Sequence, residues 1–578
     1  MRSSVFIFSL SAMLILFSVF CSIKPDDNKK FEKLASEYIE KMLEMHPEYA
    51  TWLGDHRFDY RLNDYSIEGK LQWLEVNKKF LSALDAIREE NLATENRVDF
   101  QILRIQIEST IFQLKELREY EWNPLVYNIG SALYNLMVRD FAPLEERLSN
   151  LKERLIQIPA VVEEAKKNLK NPPPIHTETA ILQNKGNIRM IKDDLNMFLD
   201  EAPHLKEDFA PVQVLAVEAL TEYGNWLEKD LLPRSSGDFR LGEDRYRKKL
   251  GYALDSEMTM EELLERAEFE LAALHDEMYD VALPLFEKFF PKIKDQEKFK
   301  DKSHVIRAVL DRLAEDRPTA DTIIDLAKKS LDSTTHFVQE KNLVTLPKEP
   351  VKVIVMPEFR RGLSVAYCDS PGPLEKGVET FYAISPPPAD WTENRVESLF
   401  REYNNYMLEI LTIHEAMPGH YLQLAHSNRY QGKTMVRHVF RSGPFIEGWA
   451  IYAEQFMLEE GYGSPEIKLH QLKFRVRAVI NAILDQKIHA GTMTEEEAVD
   501  LMINMGFQEE GEAAGKWRRA CLTSAQLSTY YAGNLEVLDI VRSYMEKHGP
   551  EVNLKDMHDR MLSFGSPPPR HVKKLIGL

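Results

Sequence analysis

The sequence predicts a mostly helical fold in two lobes, with one small β-sheet placed just before the helix that bears its most chemical stretch. Three observations predict it. Apolar residues recur at three- and four-residue steps through most of the chain, the period of a helix with one buried face. Runs that are β-branched and strand-like are confined to residues 351–384. The length, 578 residues, exceeds what one small core needs. The expected division is a helical N-terminal lobe over residues 22–345 and a lobe over residues 346–578 that holds the sheet.

The first element is a targeting segment. Arg2 precedes an apolar run from Val5 to Cys21, and the chain then turns polar at Lys24-Pro25-Asp26-Asp27-Asn28. That is the shape of a secretory signal, and about 17 residues is short for a membrane span. Cys21 stands where a bacterial lipoprotein is cut and lipidated, although Phe20 departs from the small residue expected before it. Residues 1–21 therefore read as a signal peptide with lipid on Cys21. Simple secretion and an uncleaved anchor are the alternatives. The export signal places the mature chain outside the cytoplasm, in the periplasm or, as a lipoprotein, anchored to the outer membrane.

Helices follow. Phe31–Leu53 carries Leu34, Tyr38, Met42 and Met45 on one face, and similar runs occupy about 93–119, 144–170, 178–201, 209–231, 259–285, 302–315 and 319–340. Turn signals divide them: His46-Pro47, Asn171-Pro172-Pro173-Pro174 and Arg234-Ser235-Ser236-Gly237. Three short strands are expected at Val351–Met356, Leu363–Tyr367 and Thr380–Ile384. An edge of such a sheet can hold an extended peptide by backbone hydrogen bonds, or the strands can be a plain structural hairpin. Ser385-Pro386-Pro387-Pro388 then leads into a long helix that ends at His414.

Composition removes several function classes. The formal net charge of −19, with no basic cluster, argues against a nucleic-acid partner. Beyond Cys21 there are two cysteines, Cys368 and Cys521, which make no disulfide framework. There is no Gly-x-Ser-x-Gly elbow. Gly432-Lys433-Thr434 resembles the end of a phosphate loop, but Ser427 stands where its first glycine belongs.

Residues 414–423 read His-Glu-Ala-Met-Pro-Gly-His-Tyr-Leu-Gln. Neutral imidazoles bind Zn²⁺ well, and a carboxylate beside the ion can take a proton from the activated water. The short zinc motif spaces its histidines four residues apart on one helix. Here His414 and His420 are six apart, which on an unbroken helix puts them about 120° from each other. Pro418 and Gly419 lie in the gap, so the expectation is a break that swings His420 back toward His414. The rival reading is a buried polar kink without metal.

A second key helix is expected over Gly443–Gly461. Glu447 and Glu454 are seven residues apart on one of its faces. Glu447 sits among apolar residues and is the expected third ligand. Glu454, followed by Glu459 and Glu460, reads as more solvent-facing, with support of a ligand as its other reading. Peptide hydrolysis also needs an oxyanion donor and often a cation for a substrate carboxylate. Tyr530, Tyr531, His489, Arg475 and Arg477 offer those chemistries.

With these residues in place, the chain resembles the bacterial lipoprotein family known as domain of unknown function family 885. The family signature His-Glu-Ala-x-Pro-Gly-His-x-x-Gln is matched by His414–Gln423. Its Glu-Gly-Trp-Ala block is matched by Glu447–Ala450, and its Gln-x-x-x-Tyr-x-x-Gly block by Gln526–Gly533. Weaker matches run upstream, at His46-Pro47 to Gly54 with Asp64, at Phe239–Gly242 and at Glu379–Tyr382. The family is similar to the helical Glu-zinc peptidases, which enclose a deep cleft between two helical halves. The resemblance implies His414, His420 and Glu447 as zinc ligands, Glu415 as general base and Tyr530 as oxyanion donor, helped by His489 or an arginine. Arg475, Arg477 and Tyr531 are then the expected substrate-binding residues. The implied function is an exported zinc-dependent peptidase of short peptides. A peptide-binding lipoprotein without catalysis, and a metal-dependent hydrolase of a non-peptide amide or ester, are the alternatives.

Overall fold

The computed structural model describes residues 26–293, 301–356, 365–387, 391–549 and 551–578. The signal reading over residues 1–21, Cys21 included, lies outside the described residues. Among the described residues no helix is long and apolar enough to cross a membrane, and Cys368 and Cys521 are unbridged.

The molecule is mostly helical, as the apolar periodicity requires. Helix boundaries follow local chemistry. The run expected over 31–53 is two helices, Asp27–Met45 and Pro47–Leu53, because Pro47 has no N–H to give the preceding turn and serves instead in the first turn of the next. The helix expected to run unbroken to His414 is likewise two, Glu393–Glu402 and Asn405–Glu415. Asn404 starts the second: its side chain accepts from Tyr406 N and Met407 N, both at 3.1 Å.

The sheet has three strands, β1 (Val351–Val355), β2 (Ala366–Asp369) and β3 (Thr380–Ile384), in the order β1-β3-β2. β1 runs parallel to β3 and β2 antiparallel to it, so that Val353 and Cys368 both lie opposite Tyr382. The second strand sits further along the chain than the expected Leu363–Tyr367. Its pairing with β3 begins at Ala366 opposite Ile384, and residues 363–364 are not described. Among the described residues β2 is thus an edge strand, with one side unpaired in the sheet.

The helices pack around four apolar cores. Helices Met260–Phe289 and Lys302–Leu313 share one apolar core with Pro465–His489 and Glu510–Leu522. Helix Ile323–Lys341 shares another with the sheet, Asn405–Glu415, Gly443–Glu459 and Ser528–His548. Residues 62–232 form a third core, and residues 31–107 a fourth, closed by Val436 and Val439. Helix Pro465–His489 runs through the middle and is buried on nearly every face. Its polar residues must find partners inside the protein, which decides what several candidate site residues do.

Candidate metal centre

The helix Asn405–Glu415 stops one residue after His414, and a new helix, His420–Arg429, starts at the second histidine. Pro418 and Gly419 make that turn. Gly419 N donates to Ile413 O at 2.9 Å, and a Cβ on Gly419 would lie 1.9 Å from His414 O, so no larger residue fits there. Trp449 Nε1 donates to Pro418 O at 2.9 Å and ties the turn to helix Gly443–Glu459. Gln423, the last residue of the stretch, anchors the new helix through Ser566 Oγ at 2.6 Å.

The break brings the histidines together: their rings lie 4.5 Å apart and nearly perpendicular. Glu447 Oε2 is 3.6 Å from His414 Nε2 and 3.4 Å from His420 Nε2. One ligand atom from each of the three residues lies within 4.8 Å of the others. Ligands at zinc distances of about 2.0–2.1 Å in a tetrahedron are separated by roughly 3.3 Å, close to the spacing to Glu447 Oε2. That oxygen is sealed from solvent and has no hydrogen-bond partner among the described residues, as expected of an atom whose natural partner is an ion.

The other face of His414 is also held. Its Nδ1 donates to Glu454 Oε1 at 2.7 Å, and Glu454 is completely buried. This corrects the solvent-facing reading of Glu454: the acidic residues after it are at the helix end, but the seven-residue spacing keeps Glu454 on the face of Glu447. Burial disfavours a charged imidazole here, yet Glu447 and Glu454 outweigh it and hold the His414 pKa well above its ordinary value. Nδ1 thus faces Glu454, and Nε2 faces Glu447. Phe474 packs edge-on against the same ring at 5.4 Å.

Glu415 points to the sheet. Its Oε2 accepts the backbone N–H of Cys368, in edge strand β2, at 3.0 Å. Tyr530 is near enough to Glu447 to feel its charge. Burial and the Glu447 carboxylate raise its phenol above the ordinary range, and Arg519 works against them. Arg519 Nη2 donates to Tyr530 Oη at 3.2 Å and to Gln526 Oε1 at 2.9 Å. The helices that carry Glu447 and Tyr530 touch backbone to backbone, at Gly448 and Gly533. A cavity of about 400 Å³, open to solvent, abuts this group at Cys368 and Ile446; Tyr49, Trp52, Arg139 and Arg441 also line it.

The remaining expected residues are not brought to the triad. His489 Nε2 donates to the carbonyls of Ala520 (2.8 Å) and Thr523 (2.7 Å), closing the end of helix Glu510–Leu522. Arg475 and Tyr531 both bind Glu270, the tyrosine at 2.9 Å. Arg477 pairs with buried Glu402, beside Lys473 at 3.0 Å from the same carboxylate. Each is a polar group on or against a buried helix and is held by a structural partner, although Arg475 Nε, Arg477 Nε and His489 Nδ1 are themselves buried without a hydrogen bond among the described residues. Sequence reasoning missed Arg519, Arg441 and the Cys368 N–H. No spacing marks the two arginines, and a backbone N–H carries no signal in sequence.

The family model described as Bacterial protein of unknown function (DUF885) matches residues 47–576. No curated protein matches the chain. Among solved structures, a candidate lipoprotein of unknown function from Shewanella oneidensis is 32% identical, with a TM-score of 0.80 over 94% of this chain and 99% of that one. A candidate lipoprotein from Colwellia psychrerythraea is 16% identical, with a TM-score of 0.78 over 95% of this chain and 98% of that one. An M32 carboxypeptidase from Deinococcus radiodurans R1 is 10% identical over 95% of this chain and 94% of that one; its TM-score of 0.38 is too slight a likeness to carry an argument.

Proposed function

From the premise that this chain belongs to the family Bacterial protein of unknown function (DUF885), we propose that it is an exported zinc-dependent peptidase of short peptides. The observation that carries the reading is the convergence of His414, His420 and Glu447 beside Glu415. Two imidazoles and one carboxylate are the donor set of a catalytic zinc site with a position left open. When bound, zinc supplies a Lewis acid that polarises a carbonyl and lowers the pKa of water to about 7.

The other tasks fall to this chain's own side chains and backbone. Glu415 takes the proton from the attacking water and returns it to the departing amine. Tyr530 donates to the peptide carbonyl oxygen as charge builds there. Arg519 occupies a lone pair of Tyr530 Oη, which leaves the phenol hydrogen free for that task. The free edge of β2 offers an extended peptide its backbone groups next to Glu415.

Export rests on the N-terminal segment and on two solved relatives that are themselves candidate lipoproteins. Loss of fatty-acid labelling in Cys21→Ser checks the lipid. Membrane association that persists without any labelling would mean an uncleaved anchor.

The activity is tested by digesting a random peptide pool with zinc-loaded protein, chelator-treated protein and zinc-loaded Glu415→Gln, read by mass spectrometry. The loaded wild type should cleave. Glu415→Gln should keep its zinc and lose about 10²–10⁴ in rate. A loaded wild type that binds peptides and cleaves none would make the protein a binder.

A further inference from the structure

We propose that Arg441 binds the C-terminal carboxylate of the substrate, so that the cavity beside the zinc ligands receives peptide ends and the enzyme acts as a carboxypeptidase. This deepens the peptidase reading and rests on it.

The argument begins with charge. Arg441 lines the cavity, and one of its Nη atoms donates to Asn428 Oδ1. Its Nε is sealed from solvent and has no hydrogen-bond partner. Among the described residues no carboxylate lies within 4.0 Å of it, and its electrostatic neighbours are Tyr49 and Cys368 rather than an acid. The other charges of the cavity are matched: Arg139 pairs with Asp369, and Glu375 with His56 at 3.2 Å. The cavity therefore carries one unmatched guanidinium. Burial pulls its pKa down to about 10, the mark of a cation kept without an anion. A planar fork of donors held in this way fits a carboxylate.

Position selects which carboxylate. Cys368 links the two groups: its N–H binds Glu415, and its thiol feels the charges of both Glu415 and Arg441. β2 thus connects the proposed base to the wall of the cavity that holds the free cation. In a peptide cleaved next to its end, the terminal carboxylate is one residue from the scissile carbonyl, a span of about 3.5 Å per residue. The rings of Tyr49 and Trp52, stacked at 5.5 Å, form a wall of the same cavity. Trp52 is 46% exposed there, an apolar surface for the side chain of the departing residue.

The test uses the zinc-loaded full chain with N-acetyl-Ala-Ala-Phe, its C-terminal amide, and a peptide amide bearing an internal aspartate. The wild type should prefer the free acid by about 10- to 100-fold in kcat/KM, the worth of one charged hydrogen-bonded contact. Arg441→Met should erase that preference through KM, with zinc content and Tm unchanged, and Arg441→Lys should retain part of it. Equal cleavage of acid and amide by the wild type overturns the proposal. Preference for the aspartate peptide would assign Arg441 to an acidic side chain instead and also overturns it. Equilibrium binding of the acid and its amide to zinc-loaded Glu415→Gln separates this idea from the peptidase reading. If no peptide is ever cleaved but the acid binds about tenfold tighter than the amide and Arg441→Met abolishes the difference, the peptidase reading fails and the carboxylate site stands. Equal binding of both removes the site.

Discussion

Which nitrogen of His414 faces the metal position is settled by Glu454, a residue that touches no other candidate ligand. By accepting from Nδ1 at 2.7 Å it turns the ring so that Nε2 points at Glu447. Outer partners of this kind typically contribute about 10–100-fold in metal affinity. Glu454→Gln keeps an acceptor but drops the charge, so it should weaken zinc binding by about that factor. Glu447→Gln removes a ligand and should weaken it much more. Competition against a chelator of known affinity measures both. The reverse order would make Glu454 the ligand and Glu447 its support.

At the scale of elements, the site depends on one helix crossing. A Cβ on Gly448 would lie 2.3 Å from the backbone of Gly533, and one on Gly533 would lie 2.0 Å from Pro444 O. The Glu-Gly-Trp-Ala and Gln-x-x-x-Tyr-x-x-Gly blocks are therefore two halves of one contact. The glycines let the helices touch, Glu447 and Tyr530 flank the contact, and Trp449 pins the turn before His420. Gly448→Ala must force the helices apart, at a cost of about 1–3 kcal/mol or more. Its Tm should fall and its zinc affinity with it. Gly515→Ala, inside helix Glu510–Leu522 with nothing within 4 Å of the new Cβ, should be neutral or stabilising by about 0.4–1 kcal/mol. A Gly448→Ala protein as stable as the Gly515→Ala one would remove the close-contact account.

Across the whole molecule, buried ion clusters join helices that apolar packing alone leaves free to slide. Glu402 is the centre of one, between Lys473, Arg477 and the backbone N–H of Glu509 at 3.0 Å. Burial favours its neutral form, but Lys473 and Arg477 outweigh burial and hold its pKa down to about 2. A carboxylate depressed from about 4.3 contributes stability that is present above that pH and is lost as pH falls toward 2. Glu402→Gln should flatten the pH dependence of stability between about pH 4.3 and 2. At neutral pH it should cost about 3–5 kcal/mol, because two cations stay buried without their anion. Urea unfolding with chelator present in every sample, which removes the metal's own pH linkage, measures this. An unchanged slope below pH 4.3 would place the acid sensitivity elsewhere.

The sequence by itself determined the helices, the place of the sheet and the three residues that converge, because each rests on short-range rules. Apolar period marks a helix, Pro418-Gly419 breaks one, and Glu447 stands in an apolar run where a solvated carboxylate is out of place. Only the tertiary structure decided what the other polar residues do. Arg475, Arg477 and His489 have the right chemistry for a substrate site, but their helix is buried and Glu270, Glu402 and two carbonyls claim them. Arg519 and the Cys368 N–H reach Tyr530 and Glu415 from segments about 150 residues apart, and Arg441 lines the neighbouring cavity. A charge becomes available for chemistry when packing brings it no partner of opposite sign, and that outcome depends on the fold's long-range contacts rather than on any local spacing.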